Sequence, residues 1–185
     1  MKGRNKPRPP YVATMTDDVW ASSTLAERAL HVARSQERLK VQEVPRGSNT
    51  GPMVRLYLRA AGLVSPAAWC AAFLTWCLIE AGADKKKLPR FSASTYYWFE
   101  WAKSTNRLSS FPKRGSFGVG NSGNGHIFVV SSRVGDLIYT IEGNSNSDGS
   151  REGYAVVNNT RSAAAWLRTW KRAGFITIGD DLYEN

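Results

Sequence analysis

The sequence has few of the residues that carry metal or redox chemistry. Its 185 residues include two cysteines, Cys70 and Cys77, and two histidines, His31 and His126. This count excludes a disulfide-rich scaffold, and the spacing of the cysteines is not that of a metal-binding pair. The two cysteines lie in one predicted helix, about 10 Å apart along its axis. Because a disulfide joins Cα atoms within about 7 Å, we expect both thiols to be free.

Long apolar runs are also absent, so the sequence predicts no segment that spans a bilayer. The first ten residues are basic and proline-rich, which is not the pattern of a secretory signal peptide. We therefore expect the protein to be made in the cytoplasm without a leader. If it acts on another compartment, a separate route must release or deliver it.

Acidic residues are outnumbered by basic ones, 15 to 25, which gives a formal net charge of +10. Such a balance favours polyanionic partners, among them nucleic acid, anionic membranes and anionic cell walls. We predict a basic tail over residues 1–22 and one domain over residues 23–185. A solvated segment and a binding arm are both open for the tail. Its cations are Lys2, Arg4, Lys6 and Arg8.

Helix signals precede strand signals along the chain. Thr24 followed by Glu27 is a capping-box pattern that opens a helix. Residues 66–81 predict a second helix that is apolar on nearly every side and therefore buried. Antiparallel strands are predicted over residues 126–131, 136–142, 154–160 and 175–178. Helices followed by an antiparallel sheet predict an α+β domain.

The predicted hairpin between the first two of these strands brings polar side chains together. If its loop has three residues (133–135), His126 lies opposite Glu142. Opposed side chains on one face are about 5 Å apart, and Asn144 follows on the same face. A two-residue loop would shift the register by one residue and move Glu142 to the other face. The predicted contact therefore depends on the loop length.

Cys70 completes a candidate catalytic set. A buried helix packed on the sheet can bring Cys70 to His126, which would take the thiol proton and later protonate a leaving amine. Glu142 or Asn144 would hold the imidazole ring and fix its tautomer. These residue types in this order therefore predict a nucleophilic cysteine centre.

Each of these residues also has an ordinary structural interpretation. A cysteine in an apolar helix is usually a small core residue, and Cys77 fits that description. His126 can cap a strand, and Glu142 can be solvated at a strand end. A helix that starts at Pro66 also places Cys70 in the second turn, where the helix dipole has faded, and a start nearer Trp69 would favour the chemistry. The combination, and no single residue, indicates catalysis.

Three segments resemble the CHAP domains, which are cysteine, histidine-dependent amidohydrolases/peptidases of the papain-like, NlpC-type superfamily. PAAWCAAFLTWC (66–77) is similar to their nucleophile helix, GHIFVV (125–130) to their histidine strand and IEGNSN (141–146) to their Glu-x-Asn segment. Residues 44–63 are similar to the lead-in of these domains. The resemblance extends from about residue 26 to about residue 161.

The resemblance implies a papain-like α+β fold with N-terminal helices on a C-terminal antiparallel sheet. It assigns Cys70 as nucleophile, His126 as base, Glu142 as orienting residue and Asn144 as the accompanying polar residue. The implied activity is cleavage of an amide bond in peptidoglycan, either between muramic acid and L-alanine or within the stem peptide or cross-bridge. A leaderless enzyme of this kind suits a phage endolysin or a secreted antibacterial effector that acts on the cell wall or periplasm.

The resemblance also sets expectations about partners. Bacterial peptidoglycan is the expected substrate, and the basic surface would contact the anionic cell envelope. We expect a monomer, no cofactor and no nucleic acid partner. Members often carry an acidic calcium loop before the cysteine, but residues 59–69 contain no Asp or Glu, so no metal is expected. A second departure is Ser116, which stands where members have an aspartate.

Four residues are predicted to bind substrate: Trp69, Tyr97, Trp98 and Asn124. Two other classes of function remain open at this stage. One is a non-hydrolytic module that holds cell-wall glycan in its groove or nucleic acid on its basic tail. The other is a cysteine-dependent acyltransferase, in which an amine replaces water.

Overall fold

The computed structural model describes residues 3–147 and 153–184, and within them six α-helices and a six-stranded antiparallel sheet. The helices are α1 (Asp17–Ser22), α2 (Leu25–Arg38), α3 (Pro52–Ala60), α4 (Cys70–Ala81), α5 (Thr95–Ser104) and α6 (Ala163–Thr169). The strands are β1 (Leu108–Ser109), β2 (Phe117–Ser122), β3 (Asn124–Val134), β4 (Leu137–Ser145), β5 (Ala155–Ser162) and β6 (Arg172–Ile176). The prediction of an α+β domain is confirmed.

The strand order in the sheet is β1-β6-β2-β3-β4-β5. Alternate residues of β3 point to opposite faces, as a pleated strand requires. Ile127 and Val129 belong to the main core formed with the helices, whereas Phe128 and Val130 belong to a second core under α6. The sheet is therefore covered on both faces, and the first three residues of β3 are exposed or partly exposed.

Helix α4 runs through the main core, and ten of its twelve residues are buried. It ends at Gly82, whose φ of 110° is in the left-handed region that favours glycine at a helix C-terminus. Although α4 is strongly apolar, no helix within residues 3–147 and 153–184 is long and apolar enough to cross a membrane.

The predicted start of α4 at Pro66 is wrong, because the helix begins at Cys70. Trp69 has φ −121° and ψ 12° and stands just outside the helix. Its backbone N–H donates to Asn144 Oδ1 at 2.9 Å, and its indole N–H donates to Glu43 Oε1 at 2.8 Å. Both partners are distant in sequence, so the local pattern around Pro66 could not place the helix start.

The predicted three-residue hairpin loop is also wrong. Val134 pairs with Leu137, which leaves a two-residue loop. A β-bulge between Val130 and Ser132 then adds one residue to β3, and Val129 pairs with Ile141 beyond it. Against the predicted pairing, the loop position shifts the register by three residues and the bulge shifts it back by one, so the net shift of two residues leaves side-chain direction unchanged. Glu142 therefore stays on the face of His126, although the two residues are not directly opposed.

Residues 3–22 pack against the rest of the chain rather than forming a solvated tail. Trp20 in α1 is 2% exposed and belongs to the main core. Arg28 of α2 is fully buried beneath this segment and donates to the backbone oxygens of Arg4 and Trp20. Ion pairs join Arg4 to Asp180, Lys6 to Glu80 and Arg8 to Asp17. Lys2, the other predicted tail cation, lies outside the described residues.

Candidate active site

A groove of about 1180 Å³ opens where the start of α4 meets the sheet. Cys70 and His126 both line it. Cys70 is the first residue of α4 and is 6% exposed, while the side chain of His126 retains 17% of its accessible surface. The groove therefore gives a substrate access to the thiol and to the imidazole.

His126 lies between Cys70 and Glu142. Its Nε2 is 2.8 Å from Glu142 Oε2, which leaves Nδ1 for the thiol of Cys70, within hydrogen-bonding reach of the ring. Burial alone would lower the pKa of His126, but the interactions with Cys70 and Glu142 raise it to about 9. Cys70 and Glu142 therefore both interact with His126, and the imidazole can hold a proton at neutral pH.

Glu142 is fully buried, and its carboxylate is saturated with donors. Five hydrogen bonds reach it: from His126, from the hydroxyls of Thr140 and Ser145, and two from the guanidinium of Arg161. Burial would raise the pKa of Glu142, but the bonds from Arg161 and His126 hold it well below its usual range. The carboxylate is therefore ionised despite its burial.

Arg161 is the charged residue of this site that the sequence did not reveal. It lies on β5 and pairs in register with Ile138, which shares a face of β4 with Glu142. The predicted strand over residues 154–160 ends one residue before Arg161. No short motif links an arginine at this position to Glu142, which lies 19 residues earlier. Only the register of β4 with β5 could have pointed to the contact.

Asn144 has a different position from the one predicted. Its φ of 53° breaks the regular strand, so its side chain does not continue the face of Glu142. Its carboxamide accepts from the Trp69 N–H and donates to the backbone oxygen of Gly153 at 2.7 Å. Of the two residues expected to hold the imidazole, Glu142 does so and Asn144 does not. Asn144 instead fixes the residue that precedes Cys70.

Two of the predicted substrate-binding residues are core residues. Trp69 and Trp98 are both 0% exposed, with their indole N–H groups bonded to Glu43 and to the backbone of Ser92. Neither ring can stack on a substrate, because both are enclosed by other aromatic side chains. Their aromatic character signalled the core, which is the commoner use of tryptophan.

The other two predicted substrate-binding residues lie at the surface. Asn124 lines the groove. Tyr97 is 43% exposed and packs against Phe91, but it is not part of the lining, where its neighbour Tyr96 stands. The helical turn of α5 separates the directions of these adjacent side chains, and no local pattern distinguishes them.

The described lining of the groove is rich in amides and hydroxyls. It includes six asparagines, and it contains no aspartate or glutamate within the described residues. Among the described lining residues, the charged or titratable groups other than Cys70 are Tyr96, His126 and Arg161. Trp166 and Trp170 form an aromatic wall next to Arg161. This surface suits a neutral or anionic ligand that offers many hydrogen-bonding groups.

Cys77 lies two turns deeper in α4 and is 0% exposed. Burial raises the pKa of its thiol well above the usual value. Its environment therefore contrasts with that of Cys70, and it agrees with the prediction of a core residue. Among residues 3–147 and 153–184, no group of three or more His, Cys, Asp or Glu side chains gathers in a way that would hold a metal ion.

Comparisons with protein-family models, curated proteins and solved structures gave no match for this chain.

Proposed function

We propose that this chain is a CHAP-like cysteine hydrolase with a papain-like fold that cleaves an amide bond of peptidoglycan. One observation carries the proposal: Cys70, at the first position of a buried helix, lies within reach of an imidazole whose other nitrogen is bonded to a buried carboxylate. A nucleophile, a base and an orienting acid in this order are the parts that acyl transfer requires.

The proposed reaction begins when His126 accepts the proton of the Cys70 thiol. Sγ then attacks the carbonyl carbon of the amide, and the oxygen of the tetrahedral intermediate carries the negative charge. Backbone N–H groups in the first turn of α4 lack intrahelical partners and can donate to this oxygen. His126 returns its proton to the leaving amine, which departs as the thioester forms.

Hydrolysis of the thioester reverses these roles. His126 takes a proton from water, the resulting hydroxide equivalent attacks the thioester carbon, and the C–S bond breaks to release the carboxylic acid. The imidazolium then returns its proton to the thiolate, which restores the starting thiol and imidazole. Glu142 remains ionised throughout and holds Nε2 of His126, so that Nδ1 faces the sulfur.

The chemistry of the groove supports a substrate built from both peptide and sugar. The carboxamides of its asparagines can pair with amide N–H and C=O groups, including the acetamido groups of amino sugars. The half-buried face of Trp170 offers an aromatic surface at the groove wall. The net charge of +10 favours approach to an anionic cell envelope. We place the proposed action at the bacterial wall or periplasm, after release or delivery.

Mass spectrometry of purified peptidoglycan digested by the protein tests this proposal. Free stem peptides that begin with L-alanine would establish an amidase, and cut stems that remain attached to sugar would establish an endopeptidase. Addition of a small primary amine distinguishes acyl transfer, because the product mass would then include the amine. If several wall types released no fragments, hydrolysis would be contradicted and a non-hydrolytic binding module would be favoured.

A further inference from the structure

We propose that Arg161 is a positioning residue of this centre: its two-pronged contact holds Glu142 in the orientation that fixes His126 against Cys70. This inference rests on the proposed cysteine chemistry and adds to it a residue outside the three resembling motifs. Arg161 does not meet the reacting atoms in this arrangement. It acts through the carboxylate.

The contact between Arg161 and Glu142 is bidentate. Arg161 Nε donates to Glu142 Oε1 and Nη2 donates to Oε2, both at 2.6 Å. A guanidinium that holds both carboxylate oxygens fixes the plane of the carboxylate as well as its charge. Because Oε2 is also the oxygen bonded to His126, the orientation of the guanidinium is passed directly to the imidazole ring.

The position of Arg161 is itself fixed by packing. Its guanidinium carbon lies 5.5 Å from the centre of the Phe128 ring and 5.2 Å from that of Trp166. Both rings are buried in the core under α6. The side chain of Arg161 is 30% exposed, so the aromatic pair covers it on one side and the groove opens on the other.

The electrostatic need for Arg161 follows from the burial of Glu142. Among the described residues, two titratable or charged groups face this carboxylate: His126 from β3 and Arg161 from β5. Its other partners are the neutral hydroxyls of Thr140 and Ser145 on β4. Cys70 of α4 interacts with it only through His126. Removal of Arg161 leaves a buried carboxylate with one charged partner, so Glu142 takes up a proton at higher pH. A protonated Glu142 no longer stabilises the imidazolium.

The test follows the reactivity of Cys70 rather than turnover, so it does not depend on the identity of the substrate. The rate of alkylation of Cys70 by iodoacetamide is measured against pH in a Cys77→Ala background. Arg161→Met and Arg161→Lys are compared with the parent, and Arg133→Met, an exposed arginine at the far end of the hairpin, is the matched control. Thermal unfolding of each variant identifies the conditions under which it is folded.

We expect the rate of Cys70 alkylation in Arg161→Met to begin its rise with pH about one pH unit or more above that of the parent. Arg161→Lys keeps the charge but not the bidentate contact, so it is expected to lie between Arg161→Met and the parent. Arg133→Met should match the parent. On a peptidoglycan substrate, kcat of Arg161→Met should fall about 10- to 100-fold with a smaller change in KM.

Two results would overturn the role of Arg161. One is an Arg161→Met profile that superimposes on that of the parent, and the other is an Arg161→Lys variant equal to the parent in both profile and kcat. The second comparison decides the matter even if Arg161→Met does not fold. A shifted profile in a protein that releases no peptidoglycan fragments would contradict the proposed substrate while supporting the positioning role.

Discussion

The side-chain oxygen of Asn144 accepts a hydrogen bond from the backbone N–H of Trp69 at 2.9 Å, which joins the end of β4 to the residue before α4. The same carboxamide donates to Gly153 at the approach to β5. Because Cys70 follows Trp69 directly, this contact sets the position of the thiol relative to the strand that carries Glu142. Asn144 therefore supports the nucleophile side of the site.

Substitution of Asn144 by Gly and by Ala separates the two contributions of this residue. Gly adopts the left-handed backbone at no steric cost, so Asn144→Gly tests the carboxamide alone, with an expected loss of about 1 kcal/mol in the free energy of unfolding. Asn144→Ala should lose about 1–2 kcal/mol more, because a Cβ disfavours this backbone conformation. We expect kcat to fall in both variants. Denaturant unfolding and kinetics measure these effects, and unchanged kcat in both would contradict the account.

The pH dependence of activity should follow His126. Burial would lower its pKa, but Cys70 and Glu142 raise it to about 9. Because the imidazolium must protonate the leaving amine, we expect kcat/KM to hold through neutral pH and to fall as the pH rises through about 9. The same raised pKa stabilises the fold fully below about pH 6.5, and that contribution is lost as the pH passes about 9. A basic limb near pH 6.5 would contradict the assignment.

Gly143 allows β4 to approach the nucleophile helix closely. A Cβ at this position would lie 2.7 Å from ring atoms of Phe73 in α4. We expect Gly143→Ala to cost about 1–3 kcal/mol of folding free energy and to lower activity, because α4 must move away from the strand. The double variant Gly143→Ala/Phe73→Leu should be more stable than the sum of the two single effects predicts. Strict additivity of the unfolding free energies would show that the two residues do not compete for space.

Metal chelation should leave activity unchanged. Residues 59–69, which precede the nucleophile, contain no aspartate or glutamate, the ligands that a calcium site requires. The measurement compares peptidoglycan solubilisation before and after EDTA treatment, with calcium added back to a parallel sample. Inhibition by EDTA that calcium reverses would show that the site uses a metal held by other residues.

The parts of this fold that the sequence predicted depend on local signals. Thr24 and Glu27 form the predicted capping box at the start of α2. The nearly all-round apolar character of residues 66–81 predicted the buried helix, and the runs 126–131 and 136–142 predicted antiparallel strands joined by a hairpin. Each of these signals acts within a few residues, so no distant contact was needed to interpret it.

The parts that the sequence did not predict depend on distant contacts. Asn144 sets the start of α4 from 75 positions away. The bulge between Val130 and Ser132 offsets the shorter hairpin loop, so the predicted meeting of His126 and Glu142 occurs through a different register from the one expected. Arg161 reaches the site through the pairing of β4 with β5. Local sequence patterns contain none of these pairings.

The two cysteines of α4 provide the most direct test of the proposed catalytic centre. Solubilisation of purified peptidoglycan is measured side by side for the wild-type protein, Cys70→Ala and Cys77→Ala, with thermal unfolding of all three as the control for folding. We predict that Cys70→Ala loses all activity while it remains folded, and that Cys77→Ala stays active with reduced stability, because a fully buried side chain has been shortened. An active Cys70→Ala protein, purified free of other thiol enzymes, would contradict the central claim.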